Sequence, residues 1–111
     1  MDLQAVRERY LQDDFPKRLG ALAANLARIS SFSKKPENLD VIKGLLRESE
    51  YFIEWGISDA PIDLQEELVE LQVRLAVWCY RLNEGKMGPE ALEKEFQRRS
   101  EEWLSASGLV K

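Results

Sequence analysis

Leu64, Leu68, Leu71, Leu75, Trp78 and Leu82 recur at alternating steps of four and three within DLQEELVELQVRLAVWCYRL. Residues three and four apart lie above one another on an α-helix, so these six side chains form one apolar stripe. Such a stripe is a seam for packing helices, and chemistry has no evident seat on it. The helix that carries it is predicted to be the longest in the chain, about 23 residues or roughly 35 Å at 1.5 Å per residue.

The remaining stretches repeat the pattern. Leu3, Val6 and Tyr10 stand at helical spacing with Arg7, Glu8 and Arg9 between them, a short amphipathic segment over residues 2–13. Pro16 follows Asp13, Asp14 and Phe15, and proline suits a first helical turn but disrupts an interior. Either a new helix begins near Asp14 or one helix kinks there. Phe15, Leu19, Leu22, Leu26 and Ile29 form the next stripe, with Gly20, Ala21, Ala23, Ala24 and Ala27 interspersed, small residues that let a neighbouring helix come close. A polar connection is expected over residues 30–36, with Ser33 as an N-cap.

The following helix is predicted over residues 36–55, with Leu39, Ile42, Leu46 and Ile53 on one column, interrupted by Ser49, and Leu45, Phe52 and Trp55 on a second. Two columns suggest two neighbours. Gly56 is expected to end this helix and Asp59 to cap the next. A last helix is predicted from Pro89 to Ser107, with Leu92, Phe96 and Trp103 on its stripe and Arg99 breaking it, and residues 109–111 as a tail. Four main helices joined by short connections imply an all-α, antiparallel up-down-up-down four-helix bundle over residues 1–111, a single domain with an extra or kinked N-terminal helical segment.

Composition excludes more than it assigns. A chain of 111 residues with 44% apolar content is the size of one domain with one core. It contains no histidine, which removes Ser/His and Cys/His catalysis, imidazole-ligated haem, di-iron sites of the Glu-x-x-His type and phosphotransfer through histidine. Cys79 is its one cysteine, so neither an intrachain disulfide nor a thiolate metal cluster can form. The longest apolar run is six residues, Leu75 to Tyr80, far short of a membrane span. A cytoplasmic location without membrane association is expected. A net charge of −4 gives nucleic acid no overall attraction, and none is expected as a partner. Lys94, Arg98 and Arg99 lie near Phe96 and Trp103, but Glu90, Glu93, Glu95, Glu101 and Glu102 alternate with them. That alternation marks pairing along a wet helix. No metal motif, cofactor motif or nucleophile with a base is present, so a noncatalytic protein is expected, with no catalytic, cofactor-binding or metal residues.

Three features remain as candidates. Eight carboxylates and no Lys or Arg fall within residues 48–70, while Arg28, Lys34, Lys35, Lys43, Arg81 and Lys86 would gather at the other end. The bland reading is a solvated face with N-terminal helix charges. Four large apolar residues crowd Tyr51-Phe52-Ile53-Glu54-Trp55, too many for one stripe, and Tyr80 lies well off the direction of Trp78 and beside Arg81. Tyr51, Trp55, Tyr80 and Arg81 are therefore the candidate interface, since Trp, Tyr and Arg are enriched at binding hot spots; burial in a wide core is the alternative. Cys79 reads as an inert buried thiol.

The segments ESEYFIEW and ELVELQVRLAVW together resemble small uncharacterised cyanobacterial helical proteins. That resemblance implies a small cytoplasmic protein of unassigned role and carries over no functional residue. The expected function is a protein-interaction module acting through a surface patch, on another protein or on itself as a homodimer. The alternatives are a small-molecule-binding regulatory domain with a pocket between helices, and an enzyme working through carboxylates alone, for which Glu67 and Glu70 are the candidates. A closed cavity lined by Trp with a buried carboxylate favours a ligand or a reaction, whereas a filled core beside an exposed apolar patch favours a partner protein.

Overall fold

The computed structural model describes residues 2–108, and the tail expected at residues 109–111 lies outside them. Among the described residues five α-helices and no strands are present: α1 (Leu3–Gln12), α2 (Phe15–Phe32), α3 (Leu39–Gly56), α4 (Ile62–Asn83) and α5 (Glu93–Ser107). Helices α2, α3 and α5 are the close-packed part, α2 lying against both α3 and α5, and α3 also against α4. Small residues permit the tightest of these approaches: α2 buries Ala23 and Ser30, and α5 buries Ser100 and Ser107. Ser30 Oγ donates to the Glu93 carbonyl at 2.6 Å, tying the end of α2 to the start of α5.

The predicted stripes make the core. Leu19, Leu22, Leu26 and Ile29 of α2, Ile42, Leu46 and Ile53 of α3, Leu68, Leu71, Leu75, Trp78 and Leu82 of α4, and Phe96 and Trp103 of α5 join one continuous cluster. The interruptions have local remedies. Ser49 is fully buried and its hydroxyl donates to the Leu45 carbonyl one turn back at 2.8 Å, so a polar group crosses the core satisfied. Arg99 lays its guanidinium 5.4 Å from the centre of the Trp78 ring and so substitutes for the missing apolar side chain.

The chain breaks at Asp13, which is extended, and Asp14 caps α2 by accepting from the Lys17 amide at 3.1 Å, so α1 is a separate helix. Several boundaries differ from the sequence reading: the helices expected from Pro36 and Pro89 open with short 3-10 turns, Pro36–Asn38 and Pro89–Leu92, and become α-helical at Leu39 and Glu93. Helix α2 runs on through residues 30–32, and Ser33 closes it by donating to the Ile29 carbonyl instead of capping the next helix. Asp59 does not cap α4, whose N-cap position is Pro61; it accepts from Arg18 at 2.6 Å. Gly56 is right-handed and continues into a short 3-10 turn, and a Cβ there would come within 3.4 Å of the Tyr10 ring. Left-handed backbone occurs at Gly85 (φ 67°) and Gly108 (φ 75°), after α4 and α5 respectively.

Candidate functional site

Helix α4 carries two apolar faces. The inner one, Leu68 to Leu82, is the core seam. On the opposite side stand Ile62, Val69, Val73, Val77 and Tyr80, exposed by 78%, 48%, 58%, 40% and 54%. These are five of the eight large apolar side chains exposed among the described residues, so surface hydrophobicity is concentrated on one helix. Scattered single exposed residues need no explanation, but a contiguous row does.

Ile62, Glu66, Val69, Val73, Ala76, Tyr80 and Asn83 follow one another by fours and threes, a second seam on the same helix. Its shoulders are charged. Shallow hollows flank the row: one of about 460 Å³ lies over Val73, Val77 and Trp78 beside Arg74 and Arg81, and one of about 420 Å³ lies by Ile57, Gln65, Glu66 and Val69.

The edge between α4 and α5 is an open groove of about 370 Å³ bordered by Glu67, Glu70, Arg98, Arg99, Glu102 and Trp103. Its arginines are already engaged. Arg99 donates to Glu95 at 2.7 Å, while Arg98 donates to Glu95 at 2.9 Å and to Glu102 at 2.7 Å. The Arg99 hydrogen bond, helped by Arg98 and opposed by partial burial, holds the Glu95 carboxyl below the usual carboxylate range. Stability from Glu95 is therefore present above the ordinary carboxylate pKa and lost as pH falls through its lowered folded value. Glu95→Gln is expected to melt below the wild type at pH 7, by no more than about 1 kcal/mol for so exposed a network. The two melting curves should converge at acid pH, once Glu95 is protonated in the folded state as well.

The four residues expected at an interface separate into two pairs. Tyr51 and Trp55 are half-buried on α3 and stack on each other at 5.4 Å. They belong to a cluster in which Tyr10 of α1 stacks on Phe52 at 4.3 Å, so α1 accounts for the surplus of aromatics on α3. Tyr80 and Arg81 are exposed on α4, with Lys86 Nζ 5.1 Å from the Tyr80 ring centre. The valines beside Tyr80 escaped the sequence reading. Their signal was present in ELVELQVRLAVW, where a valine row at steps of four runs alongside the leucine row.

Glu67 and Glu70 are exposed, on the groove rim and not in an apolar pocket. Burial instead pushes up the carboxyl of half-buried Glu50, against the attraction of Arg47. Cys79 is buried, with the Asn83 amide 3.7 Å from its sulfur. Inside the core, the hollow among Tyr10, Phe15, Leu19, Phe52 and Leu68 is about 10 Å³, no more than one water needs. Among the described residues no three His, Cys, Asp or Glu side chains gather as metal ligands, and no helix is long and apolar enough to cross a membrane.

Compared with protein-family models, curated proteins and solved structures, the chain matches none.

Proposed function

We propose that this chain is a noncatalytic, cytoplasmic protein-interaction module that works through the outer face of α4. One observation carries the reading: five large apolar side chains stand exposed in a row on a helix whose other face is fully used by the core. Burying such a row releases roughly 25 cal/mol per Å² of apolar surface, so a partner that covers it is stabilised mainly by the hydrophobic effect. Tyr80 and Arg81 belong to this surface, whereas Tyr51 and Trp55 serve the packing of α1. The small-molecule alternative has less support: the core hollow is too small for a ligand, and the groove between α4 and α5 is open with its arginines already paired to Glu95 and Glu102.

In this reading α2, α3, α4 and α5 form the up-down-up-down antiparallel bundle and act as a rigid frame for the exposed face. The short connections and the tie between the end of α2 and the start of α5 support that topology. Val73→Asp with Val77→Asp tests the assignment. Both side chains are exposed, so helicity by circular dichroism and the melting temperature should stay close to wild type. Self-association, or binding to a captured partner, should fall at least tenfold. Unchanged binding by the folded double variant would overturn the assignment.

A further inference from the structure

We infer that the outer face of α4 binds the same face of a second copy of this chain, antiparallel, about a two-fold axis crossing the helix between Val73 and Ala76. The inference rests on the interaction role proposed above and names its partner.

The face is complementary to itself under that operation. Across the axis the seam pairs Val73 with Ala76, Val69 with Tyr80, and Glu66 with Asn83 of the second copy. Apolar positions meet apolar ones, and the single carboxylate in the row meets an amide able to donate to it. One polar pair inside an apolar seam is the device that fixes register in paired helices.

The shoulders match in the same sense. Asp63, Glu67 and Glu70 occupy the first half of α4, and Arg74 and Arg81 the second, with Lys86 just beyond. A parallel pair would set carboxylates against carboxylates. An antiparallel pair instead brings the acidic first half of one helix, with Asp63 and Glu70, alongside the basic second half of the other, where Arg74 and Arg81 border Val73 and Val77. Attraction to the helix dipole acts only within the terminal turns, so it accounts for Asp63 and Arg81 but not for Glu66; Glu70 and Arg74 also meet each other within α4 at 3.8 Å. A strip about 33 Å long and one helix wide is narrower than a standard interface of roughly 800 Å² per partner, so the dimer is reversible and concentration-dependent.

Sedimentation velocity of the full chain from about 5 μM to 500 μM is expected to move from monomer to dimer mass. Val73→Asp, and independently Val69→Asp, should shift the midpoint at least tenfold upward while leaving helicity unchanged. Orientation is tested in a Cys79→Ser background. Val69→Cys mixed with Tyr80→Cys should oxidise to a disulfide-linked pair, whereas Val69→Cys alone should not, because its two copies lie roughly 16 Å apart along the axis. A wild type that stays monomeric at 500 μM, a dimer indifferent to both aspartates, or self-crosslinking of Val69→Cys each overturns the inference. Loss of a different protein partner in Val73→Asp, with the wild type strictly monomeric, would overturn the second copy while leaving the interaction role intact.

Discussion

Trp78→Ala is expected to lower the unfolding free energy by about 3 to 5 kcal/mol. Trp78 is 8% exposed, and its ring meets Phe96 of α5 at 4.8 Å between centroids. Backbone contact between α4 and α5 is sparse, so large side chains must span that edge. Removing the indole takes away the main bridge and also the surface on which Arg99 rests. Arg99 would keep its bond to Glu95, but its guanidinium would lie over a void. At about 2.1 cal/mol/K of unfolding entropy per residue, the loss corresponds to a melting temperature lower by about 13 to 21 °C. Trp78→Phe keeps part of the bridge and should lose less than half as much. A melting temperature unchanged by Trp78→Ala would mean that the α4–α5 edge is held by other contacts.

The same residue illustrates what the chain displays openly. Its position on the four-and-three pattern identified both the helix and the inward face, because helix periodicity is a local property that needs no knowledge of neighbours. The apolar stripes of α2, α3 and α5 were legible for the same reason, as was the stop at Gly108, whereas the sequence left break and kink open at Pro16 and the extended backbone of Asp13 decides for the break. Long-range pairings were not. Asp59 has the composition of a cap, and only the approach of Arg18 from 41 positions away gives it a different task. Ser33 has the composition of an N-cap too, but its hydroxyl is taken by the preceding helix. Tyr51 and Trp55 looked like surplus aromatics because nothing near them in sequence covers Phe52; the cover is Tyr10, on a helix that begins at Leu3. On α4 the leucine stripe drew attention away from a second row at another phase, whose importance follows from α4 lying at the edge of the close-packed helices.

Tyr10→Ala should cost about 2 to 4 kcal/mol, less than the full range for a buried aromatic because α1 can close part of the gap by shifting. Tyr10 is the buried residue of α1, and its ring stacks on Phe52 with an interplanar angle of 9°. Without it, the Arg18 clamp remains, in which Nη2 donates to the Leu11 carbonyl and Nε to the Asp13 carbonyl, both at 2.9 Å, beside half-buried Val6 and Leu11. Hydrogen exchange at the amides of α1 is therefore expected to accelerate well before that of α3 or α4, and Trp55 fluorescence to shift to the red as the cluster opens. Tyr10→Phe separates the ring from its hydroxyl. The phenol donates to the Arg18 carbonyl at a long 3.5 Å, so at pH 7 the phenylalanine variant should lie within about 1 kcal/mol of wild type. Above pH 10 the two diverge. Burial pushes the Tyr10 phenol well above its ordinary value, with Arg18 opposing in part. In the unfolded chain the same group ionises near pH 10, so the stability it contributes is complete below that point and declines as pH rises toward the folded value. The wild type should therefore lose stability between pH 10 and 11 faster than Tyr10→Phe, which has no proton to lose there. Parallel melting curves for the two proteins across that window would mean that the Tyr10 hydroxyl is solvated and that α1 lies farther from α3 than the stacked ring requires.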